Sequence, residues 1–251
     1  MAAYRIDAGT DIACVGIWDA ELPPAKHSIE GEALNASAAR GELLPIYTHA
    51  DGSYPLRILV EEPFVPPEEQ RFVTLEREFG LDLRSGTALV GGCEDFRNPR
   101  PRITTDRDRI RVEPSWYRAR VHLNVTDGDL LEALAHTEAE KALTSEEHAR
   151  YRQLGKHYNR GCALQLIAVA LGIGSVLIRG VAGLVGGAMA VLLMAAAFWS
   201  RRLGRTGYDA LHRRYQRALE AAHPPTIVLE LHRAEGPLPG GSVALEDTPE
   251  A

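Results

Sequence analysis

The chain is poor in the residues that carry recognisable chemistry. Its 251 residues include three cysteines, Cys14, Cys93 and Cys162. They are odd in number, far apart and in no C-x-x-C pair, which argues against a disulfide framework or structural zinc and for a reducing compartment. Positive charge is not in excess: 28 Lys and Arg stand against 34 Asp and Glu, a net charge of -6 that excludes a generally basic nucleic-acid binder. Nine histidines are scattered without an H-E-x-x-H or H-x-x-x-H pair, so no metal site is expected, and no cofactor either. There is no G-x-S-x-G, no G-x-x-x-x-G-K-[ST], and no G-x-G-x-x-G opening a helix after a strand. The first residues, MAAYRIDAGTDIA, lack a basic region followed by an apolar one, so no secretory signal is expected and the N-terminal part is expected to stay in the cytoplasm.

What is present is one long apolar run. Residues 162–199 read CALQLIAVALGIGSVLIRGVAGLVGGAMAVLLMAAAFW, with Arg179 the only charge. A single helix of that length measures roughly 57 Å, against a bilayer core of about 30 Å. Two crossings fit: Cys162–Ile178 and Val181–Trp199, with Arg179-Gly180 as the turn. Gly183 with Gly187, and Ala168 with Gly172, form small-x-x-x-small pairs through which membrane helices pack closely or oligomerise. Lys156 and Arg160 precede the run and Arg201, Arg202 and Arg205 follow it, so the positive-inside rule puts both termini in the cytoplasm and lets these arginines meet anionic headgroups. Tyr158 and Trp199 suit interfacial anchors. The competing reading is a hairpin buried in a soluble core. Such a helix keeps a polar face, and neither half has one.

The remainder reads as α+β. Residues 1–126 form a β-rich domain, a sandwich or small barrel, with strands expected at Asp11–Trp18, Leu43–Thr48, Leu56–Glu61, Gly86–Val90, Arg109–Val112 and Tyr117–Val125. In the last strand Arg118, Arg120, His122 and Asn124 fall on a solvated face. The Asp51-Gly52 pair suggests a hairpin between two strands. Residues 127–161 read as a helix, with Thr144 and Glu147 spaced as a capping box. Residues 162–199 are the two-span hairpin. Residues 200–223 are a basic amphipathic helix stopped by Pro224-Pro225, so both spans continue as an antiparallel stalk. Residues 224–234 contain an alternating strand, TIVLELHR, that cannot stand alone and is expected to rejoin the first sheet. Residues 235–251 are expected to be disordered.

One stretch could carry chemistry. In LVGGCEDFRNPRPRITTDRDR (89–109), Cys93 could be a nucleophile, or Glu94 and Asp95 a ligand pair. His49 and His122 are the nearest candidate bases, and no spacing ties them to Cys93. A turn whose carboxylates pair with Arg97, Arg100 or Arg102 explains the stretch better. Asp106 and Asp108 lack the glycine and distal Glu of a calcium loop.

With its hairpin between basic helices, the segment SGTALVGGCEDFRNPRPRIT (85–104) resembles bacterial proteins that pair a small β-rich domain with a two-span hairpin, some of which act as immunity factors beside secreted toxins. Hairpin plus long cytoplasmic helix is also similar to SLATT-type membrane effectors, from which the large β part and the returning strand depart. The resemblance assigns no functional residue. The expectation is a bacterial inner-membrane protein, anchored in the lipid bilayer through residues 162–199, whose cytoplasmic β domain binds an unidentified protein without catalysis, as an immunity or accessory factor of a toxin or secretion system. The alternatives are a membrane-perturbing effector or channel component that homo-oligomerises through Gly183 and Gly187, and a membrane-anchored enzyme using Cys93.

Overall fold

The computed structural model describes residues 2–21, 31–48, 50–94, 108–177 and 180–244, the side chains of 177, 201 and 203–206 excepted. The fold is α+β. The chain divides into two compact units: Met1–Gly128 with Pro224–Ala251, and Asp129–His223.

The first unit holds two sheets. The larger has strands β1 (Ala2–Thr10), β4 (Gly52–Val60), β5 (Phe72–Thr74), β6 (Phe79–Leu83), β9 (Ser115–Asn124) and β10 (Ile227–Ala234). Its order is β1-β4-β10-β9-β5, with β6 also paired to β9. The smaller has β2 (Cys14–Asp19), β3 (Leu43–Tyr47), β7 (Thr87–Gly92), β8 (Arg109–Arg111) and β11 (Val243–Ala244), in the order β11-β3-β2-β7-β8. Alternation explains the layering, since side chains of a strand point to opposite faces in turn. Tyr117, Ala119, Val121 and Leu123 of β9, Ile227, Leu229 and Leu231 of β10, and Leu56, Ile58 and Val60 of β4 share one core with Val15, Ile17, Leu44, Ile46, Ala88, Val90 and Val243 from the smaller sheet. This is a two-sheet sandwich. A helix, α1 (Glu32–Ala39), covers the outer side of the smaller sheet, where Leu34 and Ala38 meet Trp18, Leu43 and Leu89.

Several expectations change. The strand β1 and helix α1 carry no clear periodic signal and were not expected. The Asp51-Gly52 turn makes no hairpin: β3 pairs with β2 and β11, while β4 pairs with β1 and β10, so the chain crosses between sheets there. The segment after Ala234 is ordered as far as Ala244. Gly80 donates its N–H to Pro239 O at 2.8 Å, Arg77 donates to Gly240 O at 2.6 Å, and Val243 is wholly buried. Gly240 lies so close to Ala38 O that a Cβ there would overlap it, so the Gly-Gly pair permits the approach that a side chain would block. Residues 245–251 lie outside the described residues. The strand β10 lies between β4, parallel, and β9, antiparallel, so the chain re-enters the middle of the larger sheet.

The second unit contains α2 (Gly128–Glu140), α3 (Ser145–Leu177) and α4 (Val181–Ala222). The single helix expected over 127–161 is two helices broken at 141–144. At the break Thr144 N–H donates to Glu147 Oε2 at 2.9 Å and Glu147 N–H donates to Thr144 Oγ1 at 3.2 Å. That reciprocal cap satisfies two backbone donors that would otherwise be orphaned, and so fixes the start of α3. Pro224 ends α4 two residues after Ala222.

Candidate functional site: the apolar hairpin and a buried acid–imidazole chain

In the second unit, α3 and α4 pack along one another, 33 and 42 residues long. Both are long and apolar enough to cross a membrane, over Ser145–Val176 and Val181–Ser200. Small residues fill the seam between them. Ala168, Ala190 and Ala197 are buried, a Cβ on Gly172 would meet Ala190 Cβ at 3.9 Å, and one on Gly186 would meet Ser175 Cβ at 3.3 Å. Gly183 is buried and Gly187 half-buried. Gly172 and Gly187, noted in the sequence, therefore line contacts inside the hairpin.

The large apolar side chains point the other way. Leu166, Ile173, Val176, Val181, Leu184, Val191, Leu192 and Phe198 are each more than 60% exposed. In water this is the reverse of a stable arrangement, because each such side chain forgoes roughly 1.5–3 kcal/mol of burial. Membrane helix pairs likewise pack through small residues.

Past the apolar segment the seam turns aromatic. Tyr208 stacks on Tyr151 at 5.2 Å, on Tyr158 at 5.4 Å and on His212 at 5.4 Å between ring centroids. Tyr151 OH lies 2.8 Å from His212 Nδ1, and Tyr215 OH 2.8 Å from His136 Nδ1 of α2. Gly155 faces the Tyr208 ring, where a Cβ would sit at 3.5 Å. Arg214 closes the far end on Glu147 at 2.7 Å. Tyr158, expected as an interfacial anchor, belongs to this ladder. Trp199 is 64% exposed at the end of the apolar band.

In the first unit a chain of titratable groups crosses the outer face of the larger sheet. Glu61 Oε2 lies 3.8 Å from His232 Nδ1, and His232 Nε2 3.2 Å from Glu230 Oε2. Glu230 Oε1 lies 3.1 Å from His122 Nε2, and His122 Nδ1 2.8 Å from Thr74 Oγ1. The outer members are about a third exposed; His122 and Glu230 are 5% and 4% exposed. His122 Nε2 is near the carboxylate but not aligned with it, and makes no hydrogen bond. Burial pushes the His122 imidazole down from its ordinary value and outweighs the opposing pull of Glu230, with Arg120 adding to the lowering. Burial alone would raise Glu230. The Phe64 N–H, His232, His122 and Arg120 together hold it below the ordinary carboxylate value. The sequence placed His122 on a solvated face. It is buried because the Phe64 ring covers it, 4.9 Å between centroids. The alternation of β9 located the side chain correctly, but nothing local announced the cover.

Cys93 is 1% exposed on the outer side of the smaller sheet, against Gly16, where a Cβ would meet its sulfur at 3.0 Å. Glu94 accepts hydrogen bonds from Thr10 Oγ1 at 3.1 Å and from Asp11 N at 3.3 Å. His122 is engaged on the outer face of the other sheet, so the sandwich separates it from Cys93. His49, Asp95, Arg97, Arg100, Arg102 and Asp106 lie outside the described residues. Among the described residues no group of three or more His, Cys, Asp or Glu is arranged to hold a metal ion.

Compared with known proteins, the chain matches no family model, no curated protein and no solved structure.

Proposed function

We propose that the protein is a bacterial inner-membrane protein anchored by the α3–α4 hairpin over residues 162–199, with both termini in the cytoplasm. Its sandwich then serves as a non-catalytic module that binds another protein, in the manner of an immunity or accessory factor of a toxin or secretion system. One observation carries the anchoring: small residues fill the hairpin seam while the large apolar side chains face outward. Length supports it, since Cys162–Leu177 and Val181–Trp199 rise roughly 24 and 28 Å, enough for a bilayer core of about 30 Å with slight thinning. Flanking cations agree, with Lys156 and Arg160 before the run, and Arg201, Arg202 and Arg205 after it, suited to anionic headgroups. The alternative is an oligomer that packs through Gly183 and Gly187; a Cβ on Gly187 would already meet Ser175 Oγ of the same hairpin at 3.7 Å, which favours the anchor.

The test is fractionation with a carbonate wash, on cells expressing the full chain and a deletion of residues 162–199. The full chain should stay in the membrane pellet and the deletion should not. A full chain that washes off would overturn the anchoring. Cross-linking from the sandwich of the membrane-bound full chain then tests the protein-binding half. Recovery of one stoichiometric partner supports it, and recovery of none in the native host refutes it.

A further inference from the structure

We propose that the segment from Glu61 to Arg71 is a strap over the outer face of β9 and β10 that opens in acid, when His122 takes up a proton. The strap leaves β4 at Glu61, which adopts a left-handed φ of 56° that non-glycine residues rarely hold. It carries Pro63, Pro66 and Pro67, which have no N–H to give. Its ends are tied down: Glu61 N–H donates to Leu231 O at 3.0 Å, and Arg71 N–H donates to Thr126 Oγ1 at 2.8 Å. Between them, among the described residues, one main-chain bond joins residues 62–69 to the sheet. It runs from Phe64 N–H to Glu230 Oε1 at 2.6 Å. The Phe64 ring rests on His122 and meets Phe72 edge-on at 4.7 Å, while Val65 beside it is 78% exposed. Near its end Gln70 Oε1 also accepts from Asn124 Nδ2 at 3.1 Å, so between Glu61 and Gln70 a long, proline-rich segment is pinned at one residue, and that pin sits on an ionisable pair.

Linkage sets the direction. The groups facing His122 are Arg120 on its own strand, Glu230 on β10, Thr74 on β5 and the Phe64 ring of the strap, with His232 and Glu61 reached through Glu230. With the strap closed, burial and Arg120 together favour the neutral imidazole over the pull of Glu230. Lifting Phe64 returns the ring to water and to its ordinary value near 6.5. The open form therefore binds more protons, and below that pH acid favours it by up to about tenfold per pH unit, until the closed form protonates as well. Glu230 acts in the same direction below its own ordinary value of 4.5.

Hydrogen exchange on the full chain in detergent micelles tests this, with rates corrected for the intrinsic pH dependence of exchange. Peptides covering residues 62–72 should lose up to about tenfold in protection between pH 7.5 and 5.5, while peptides from β2 and β3 stay constant. In His122→Asn the loss should vanish, and in His232→Asn it should persist. Wild-type strap protection that is flat across this range overturns the proposal without any variant. So does an undiminished loss in His122→Asn, or its disappearance in His232→Asn.

Discussion

Placing an arginine at Val191 separates a lipid-facing hairpin from a water-facing one by the sign of its effect. Val191 is 69% exposed and lies near the middle of the Val181–Ser200 segment. On an aqueous surface, exchanging an exposed valine for arginine shifts stability by no more than about 0.5 kcal/mol and tends to improve solubility. At the centre of a membrane helix the arginine costs about 2.5–3.5 kcal/mol and the lost valine adds a few tenths. The swing of about 3 kcal/mol lowers the insertion equilibrium by about two decades. Val169, 45% exposed, sits near the middle of the apolar part of α3, and adding Val169→Arg should roughly double the penalty if the sites act independently. The assay is the carbonate-resistant fraction of wild type, V191R and the double variant, with Phe198→Arg as a control near the end of the span where the charge can reach headgroups. Membrane retention should fall in the order wild type and F198R, then V191R, then the double variant. A double variant retained as fully as wild type would refute the assignment of these faces to lipid.

Gly186→Leu should splay the hairpin, because even a Cβ there meets Ser175 Cβ at 3.3 Å. Overpacking of this kind costs about 1–3 kcal/mol and should lower the thermal midpoint measured by circular dichroism in detergent. Tyr208→Ala removes three stacked contacts and should destabilise the stalk by about 2 kcal/mol, seen as faster proteolysis around Arg150 and Arg213. The stability of the first unit should fall in acid. His122 and Glu230 are both held below their ordinary values in the fold, so the unfolded chain binds more protons, and the loss begins near pH 6.5 and deepens below pH 4.5. Urea midpoints between pH 7.5 and 4 test the sign, and a midpoint constant across that range would contradict it. Replacing residues 129–223 by a short Gly-Ser linker should leave a folded, soluble sandwich, whereas stopping the chain at residue 128 should not, because β10 joins β4 to β9.

The legible parts were those with a local cause. Alternation of apolar and polar residues located β9 and β10 within two residues, since a strand buried on one face must alternate. The Thr144–Glu147 cap was readable because both partners lie within one turn. The apolar run announced two helices by length alone. What the sequence hid was set by distant partners. The nine residues of β1 alternate weakly, through Ala2, Ala3, Ala8 and Gly9, and become a strand only because β4 pairs with them along their whole length. The ordered return of residues 235–244 looked like a proline- and glycine-rich tail. Gly240 is what allows close backbone contact with Ala38, and Gly80 in turn admits the Leu238 carbonyl. The acid–imidazole chain draws on β4, β5, β9 and β10 and is closed over by Phe64, so no window of sequence contains it.

Topology reconciles an outwardly apolar hairpin with a sandwich that has its own core in one chain. The excursion begins after Asn124 and ends before Ile227, and these ends are neighbours, since Leu123 pairs with Ile227 and Asn124 N–H donates to Thr226 O at 2.9 Å. Adjacent strands are about 4.8 Å apart, so the sheet holds the two ends together wherever the helices go. Two antiparallel helices meet that condition naturally, because such a pair leaves and returns on the same side. The hairpin seam and the aromatic ladder then need only each other, and the sandwich core needs only β10. This independence lets the hairpin carry large apolar side chains on its outer surface while the sandwich keeps its own apolar core. Inserting the helices between β9 and β10, rather than appending them at one end, also joins the two units by two connections instead of one.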